Sequence, residues 1–308
     1  MSDRPAPVLL CGATGFIGQH LHRHFLDHGH PVRALVRPRT AARARLDERC
    51  EIRIAELTDL DAVWEALDGA GSVVYAAGSV RGRTFDDFRC ANVSGVATLV
   101  AALRQSAFPG RPVVLLSSLA ASRPELSDYA RSKRCGEQVL RDAADLGWTI
   151  LRPPAVYGPG DTELRPLLAL VRRGVALRPG PRGQRLALLH VLDLVRAVAA
   201  CLADPTSCRH GCFEIDDGKP GGYDWDEIAA AVAGRPVLQL GLPRWLLRAV
   251  GAINQRTSRV LRHAPMLTPG KVRELQESRW LCDNSAFADA TGWHPRITLE
   301  QGAAALLG

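Results

Sequence analysis

The fold class this sequence predicts is α/β: a doubly wound parallel sheet with a smaller, mostly helical C-terminal lobe. Three observations point to it. Over residues 1–155 short β-branched apolar runs alternate with longer helical patterns, as strand–helix repetition requires. A glycine-rich turn directly follows the first run. After Leu151 prolines and glycines crowd the chain and the alternation stops.

Taken in order, the expected strands are residues 8–11, 32–36, 52–55, 73–76, 113–116 and 149–151. Their near-continuous apolar character suits parallel strands covered on both faces. Pro153, Pro154, Gly158, Pro159 and Gly160, then a second breaker cluster at 179–183, mark where the chain leaves the sheet. It is expected to return over 186–216. The division that follows is a dinucleotide-binding domain over 1–156 with 186–216 returning to it, and a substrate-binding lobe from 157–185 and 217–308.

Length and composition agree with this: 308 residues, 46% hydrophobic and 23% charged, exceed what one core usually supports. Lysine plus arginine number 39 against 32 acids, for a net charge of +7, and Lys133, Lys219 and Lys271 are the only lysines. The arginines are spread along the chain and aromatics are sparse, so nucleic acid is not expected as a partner. No signal-like leader opens the chain and no apolar run nears the roughly 20 residues that span a bilayer, so a cytoplasmic location is expected. The eight cysteines then read as thiols rather than a disulfide framework. No metal is expected, either at Cys208, His210 and Cys212 or on the His20, His24, His28 helix face, because neither set has a full ligand complement.

Gly12, Gly15 and Gly18 in CGATGFIG sit between the first strand and the first helix. In that context glycines allow a tight turn and close backbone approach, so free N–H groups at the helix start can hold a pyrophosphate. Past the second strand the chain reads Leu35, Val36, Arg37, Pro38, Arg39, with no acid before Asp47. An acid there would hold the ribose hydroxyl of NAD, whereas an arginine accommodates the 2′-phosphate of NADP. NADP(H) is therefore favoured, with NAD(H) as the alternative.

Tyr129 and Lys133 stand four apart in DYARSKRCGE, on one face of a helix. A neighbouring ammonium would stabilise the phenolate and lower the phenol's pKa from near 10. Ser117 and Ser118 end the strand VVLLSS, where the carboxyl ends of parallel strands meet a ligand. Chance would give a Tyr-x-x-x-Lys match in only about 4% of shuffled sequences of this composition.

In combination these residues resemble the extended branch of the short-chain dehydrogenase/reductases, the NAD-dependent epimerase/dehydratase superfamily. GATGFIG, SSLAAS before Tyr129 and Lys133, CANVSGVATLV around Asn92, LRPPAVYGPGD at 151–161 and LLHVLDLVRAV at 188–198 match in order. The resemblance implies catalytic roles for Ser118, Tyr129 and Lys133, with Asn92 supporting the site. It implies cofactor contacts at Gly12, Thr14, Gly15, Phe16, Ile17, Gly18, Arg37, Glu56, Leu57, Ala76, Ala77, Gly78 and Pro153, as well as at Tyr129 and Lys133. Glu56 replaces the family's usual aspartate near the adenine.

Within the branch, LVRPRT and the tail TGWHPRITLEQG look like the 3β-hydroxysteroid dehydrogenase and dihydroflavonol reductase group. Ala155 stands where nucleotide-sugar enzymes usually carry an asparagine. The function expected is hydride transfer between nicotinamide and a carbonyl or secondary alcohol of a small, apolar substrate. The alternatives are a nucleotide-sugar epimerase or dehydratase and a noncatalytic NAD(P)H-binding accessory protein. Residues 242–253, LPRWLLRAVGAI, with Arg256, Arg259 and Arg262 beyond, read as a lid or core helix with a basic outer face. Contact with a membrane surface is a lesser expectation there, and a homodimer is admitted as partner.

Overall fold

The computed structural model describes residues 5–41, 45–261 and 267–307. The first half alternates as expected: β1 (Val8–Cys11), α1 (Phe16–Asp27), β2 (Val32–Val36), α2 (Pro38–Ala41), β3 (Glu51–Ile54), α3 (Leu60–Leu67), β4 (Ser72–Tyr75), α4 (Phe85–Arg89), a π turn (Cys90–Ser94), α5 (Gly95–Gln105), β5 (Pro112–Leu116), a 3₁₀ turn (Leu119–Ser122), α6 (Asp128–Arg141) and β6 (Gly147–Arg152). The remainder contains β7 (Ala155–Tyr157), α7 (Arg165–Arg172), β8 (Val175–Arg178), β9 (Arg185–Leu186), β10 (Leu188–His190), α8 (Val191–Ala203), β11 (Cys212–Glu214), α9 (Trp225–Ala233), β12 (Leu238–Gly241), α10 (Arg244–Leu261), α11 (Pro269–Gln276), β13 (Arg279–Trp280), α12 (Ser285–Thr291) and α13 (Leu299–Leu307).

Seven strands form one wholly parallel sheet in the order β11-β6-β5-β4-β1-β2-β3. The order reverses at β1, so the loops after β1 and β4 open a crevice at the carboxyl edge. This is the Rossmann arrangement, and all six strands expected in the first half are present, with ends within two residues of those expected. Two apolar layers sandwich the sheet. One joins α3, α5 and α6 through Leu67, Leu99, Leu103 and Leu140, and the other joins α1 and α8 through Leu21, Phe25, Leu194 and Val198.

Three details depart from the sequence reading. Edge strand β3 is exposed along its length, with Ile52 and Ile54 facing out, and among the described residues no strand pairs beyond it. Of the return segment, α8 covers the sheet and β11 joins its edge, but β10 pairs with β7 outside the main sheet. The C-terminal part also contributes strands to small parallel pairs, β12 with β8 and β13 with β9. Arg262 lies outside the described residues, and of Arg256 and Arg259 only the helical backbone is described.

Candidate active site

The first turn of α1 is built for close approach. Gly12 has φ +91°, and a Cβ there would lie 2.6 Å from the Ala77 amide nitrogen. A Cβ on Gly18 would collide with the Gly12 carbonyl, so α1 can start tight against the β1 turn only with glycine there. Gly15 is the N-cap residue, supplies no side-chain cap, and donates its own N–H to Gly12 O at 3.0 Å. The start of α1 therefore brings backbone donors to the crevice without a side-chain cap, which fits a pyrophosphate.

The other expected cofactor residues follow the carboxyl ends of successive strands: Arg37 after β2, Glu56 and Leu57 after β3, Ala76 to Gly78 after β4, Pro153 after β6. Thr14, Phe16 and Ile17 complete the loop and first turn, although Ile17 also packs into the α1 layer. Leu57 is buried in the α3/α5 layer, whereas Glu56 is exposed. Arg37 is half-buried, and among the described residues its guanidinium makes no ion pair.

Ser118, Tyr129, Lys133 and Asn92 converge beside this crevice. Ser127 caps α6 by accepting the Ala130 N–H at 3.0 Å, which fixes the start of the helix that carries Tyr129 and Lys133. The buried Lys133 ammonium donates to Leu116 O at 2.9 Å. Asn92 sits in the π turn, a distortion often found at functional sites. It accepts from Ser79 N at 3.0 Å and donates to Ser132 Oγ at 2.8 Å, tying the loop after β4 to α6. Gly78 is matched to both: a Cβ there would stand 3.0 Å from Lys133 Nζ and 3.2 Å from Asn92 Oδ1.

Burial governs the two ionisable groups in opposite senses. It pushes the Tyr129 phenol above its usual range, opposed by a hydrogen bond with Ser118 and by the charge of Lys271. It depresses Lys133 to about 8, opposed by Glu137. The sequence reading expects Lys133 to lower the phenol. Instead desolvation outweighs every cation, and the ammonium over the Tyr129 ring is that of Lys271, 6.0 Å from the centroid.

Two groups the sequence reading passed over support the site. Glu137 is fully buried one turn past Lys133; it accepts from Ser117 Oγ at 2.6 Å and forms a two-pronged pair with Arg152 at 2.8 and 2.6 Å. Its i+4 spacing from Lys133 was the available signal. Lys271 and Glu274 come from α11, and no local pattern connects them to Tyr129. Conversely, Asp161, Tyr157 and His190 have local tasks. Asp161 accepts the backbone N–H groups of Glu163, Leu164 and Arg165 at the start of α7. Tyr157 donates to Thr298 O and packs edge-on to His190.

All eight cysteines are free thiols. Cys208 bonds backbone carbonyls and His210 reaches Leu146 O at 2.7 Å. Among the described residues no three His, Cys, Asp or Glu side chains gather as a metal site, and no helix is long and apolar enough to cross a membrane.

A glycine cradle at the switch point of a parallel sheet, beside a serine, tyrosine and lysine at its carboxyl edge, defines a dinucleotide-dependent enzyme of the Rossmann class. The comparisons narrow this. The model of the NAD dependent epimerase/dehydratase family matches residues 8–215. A ceramide reductase of Caulobacter vibrioides is 34% identical over 291 residues, covering 94% of this chain and 90% of its own. A 2-alkyl-3-oxoalkanoate reductase of Stenotrophomonas maltophilia is 27% identical, with 96% of each chain covered. In fold, the chain is similar to the UDP-glucuronic acid 4-epimerase of Bacillus cereus, solved with UDP-glucuronic acid and NAD, at a TM-score of 0.71, 17% identity and 98% coverage of both chains. The chain belongs to the NAD-dependent epimerase/dehydratase family, and it is an NAD(P)-dependent enzyme of the extended short-chain dehydrogenase/reductase type.

Proposed function

We propose that the enzyme is an NADP(H)-dependent oxidoreductase acting on a carbonyl or secondary alcohol of a small, largely apolar substrate. The observation that carries this is the Tyr129 phenol set beside Ser118, with the buried Lys133 and the Gly12–Gly18 cradle next to them. Ser118 orients the substrate oxygen; Tyr129 gives it a proton in reduction and takes one in oxidation. Lys133 supplies positive charge beneath the pair, and Asn92 holds the loop and helix that frame it. A bound nicotinamide supplies or accepts the hydride.

The backbone at Gly12, Gly15 and Gly18 holds the pyrophosphate in this reading. Arg37 holds a 2′-phosphate, supported by its freedom from ion pairs among the described residues. Residues 157–185 and 217–308 form the substrate lobe. The reductase names of two relatives support carbonyl chemistry, and the second of those names describes a keto group within an alkylated chain. An apolar substrate is further supported by α10. Trp245 is 71% and Ile253 58% exposed on its outer face, while Gln255 of the same helix lines the cavity at Tyr129. Ala155 in place of asparagine argues against a nucleotide-sugar reaction.

The test is spectrophotometric: NADPH consumption across hydrophobic ketones, by the wild type and by Tyr129→Phe. Consumption by the wild type alone supports the assignment. Epimerisation of a UDP-sugar without net cofactor consumption would replace it.

A further inference from the structure

Beside Tyr129 lies a cavity of about 150 Å³, lined by Arg83, Ser127, Gln255, Lys271 and Glu274 among others. It has an organised floor. Glu274, buried, accepts from Ser127 Oγ on one oxygen and from Lys271 Nζ at 2.8 Å on the other. Ser127 is also the cap of α6, so the start of the Tyr129 helix and the Lys271 helix are fastened at one point. They pack so closely that a Cβ on Gly270 would stand 2.9 Å from Ser127 Cβ.

The floor fixes which donors face the cavity. Both Glu274 oxygens are engaged, so its carboxylate offers the space little. Arg83 is held by Asp87 at 3.3 and 3.4 Å, and Asp128 by Arg131 at 3.1 Å. Lys271 differs. An ammonium has three N–H groups, and among the described residues only Glu274 accepts one. Its side chain is 45% exposed, and the ammonium stands 6.0 Å from the Tyr129 ring centroid. A carbonyl oxygen held by the Tyr129 hydroxyl thus has a donor-bearing cation in the cavity that both residues line.

We propose that this cavity is a subsite for a hydrogen-bond-accepting oxygen, such as an amide or carboxylate oxygen, carried near the reacting carbonyl, with Lys271 as the specificity-determining donor. Glu274 and Ser127 are its positioning residues. The proposal rests on the carbonyl-reductase reading above and deepens it: the substrate is a ketone polar on one side of the reacting carbon and apolar on the other.

The test compares a 3-oxo acid N-methyl amide with the plain ketone of equal chain length, in the wild type, Lys271→Met and Lys271→Arg. A hydrogen bond to a charged donor corresponds to about 10- to 150-fold in affinity. The wild type should favour the amide by at least tenfold in kcat/KM, Lys271→Met should bring that ratio close to one, and Lys271→Arg should recover part of it. Calorimetric titration of the amide into the NADP⁺-loaded proteins reads the same subsite without turnover. No amide preference in the wild type, or an equal loss on both substrates with the ratio kept, overturns the proposal. Lysine-dependent amide binding without reduction of any ketone would instead strike at the reductase reading while the subsite stands.

Discussion

Tyr129 and Lys133 are both pushed toward their neutral forms by burial, and the consequences for activity differ. A phenol raised above its usual range stays protonated at working pH, ready to donate. Replacing it with Phe keeps the ring and removes the proton, so turnover should fall by about 10²- to 10⁴-fold with NADPH affinity nearly unchanged. Lys133 is depressed from 10.5 to about 8, so its charge is lost as pH rises through that value. NADPH affinity is expected to weaken above pH 8, and Lys133→Met should abolish that inflection in a fluorescence titration. Unfolding would not explain the weakening. Between about 8 and 10.5 the unfolded chain binds more protons at this group than the folded one, so its contribution to stability rises with pH in that window. An affinity flat from pH 7 to 9.5 would remove Lys133 from the cofactor site. Local spacing singled out Tyr129 and Lys133, and a strand end singled out Ser117 and Ser118, whereas the choice of Ser118 and the naming of Asn92 came only through the family resemblance. Lys271 was not legible, because a fold-level contact between α11 and α6 is what brings it to the ring.

Elements hold these side chains through a few close approaches. Gly136 lets α6 lie against the π turn: a Cβ there would collide with the Asn92 carbonyl. Gly136→Ala is expected to cost about 1–3 kcal/mol in thermal unfolding and to reduce turnover further than stability, because it moves Asn92 and Lys133 apart. Beneath them, Arg152 of β6 neutralises the buried Glu137 of α6. Arg152→Met leaves that buried carboxylate only Ser117 Oγ and a looser contact with Arg134 at 3.5 Å, and should destabilise by about 3–5 kcal/mol in denaturant unfolding, with Glu137→Met in the same chain recovering much of the loss. Destabilisation below 1 kcal/mol would mean the pair is not isolated from solvent. The strands β1 to β6 were legible as apolar runs between helical patterns. The exposure of Ile52 and Ile54 was not, since the same run serves an edge or a centre. The pairs β8 with β12 and β9 with β13 are only two to four residues long, too short for a period to register.

At the scale of the whole molecule, topology gathers the glycine cradle, Arg37 and the Tyr129 cavity along one edge of a single sheet, and chain order alone could anticipate the first two. The cavity draws on α10 and α11 as well as α6, so its shape was beyond sequence reading. In the proposed reading, cofactor choice depends on Arg37. A guanidinium facing a 2′-phosphate is expected to give at least tenfold tighter binding of NADPH than NADH, lost in Arg37→Ala through weaker NADPH binding alone. Equal affinities in the wild type would reduce Arg37 to a surface charge.

The measurement that bears most directly on the central claim is transfer of deuterium from NADPH labelled at the nicotinamide C4 to a hydrophobic ketone, followed by mass spectrometry. Hydride transfer at the Ser118–Tyr129–Lys133 site predicts one deuterium on the carbinol carbon of the product with the wild type and almost none with Tyr129→Phe. Conversion of a nucleotide sugar with no label reaching any ketone would contradict the account.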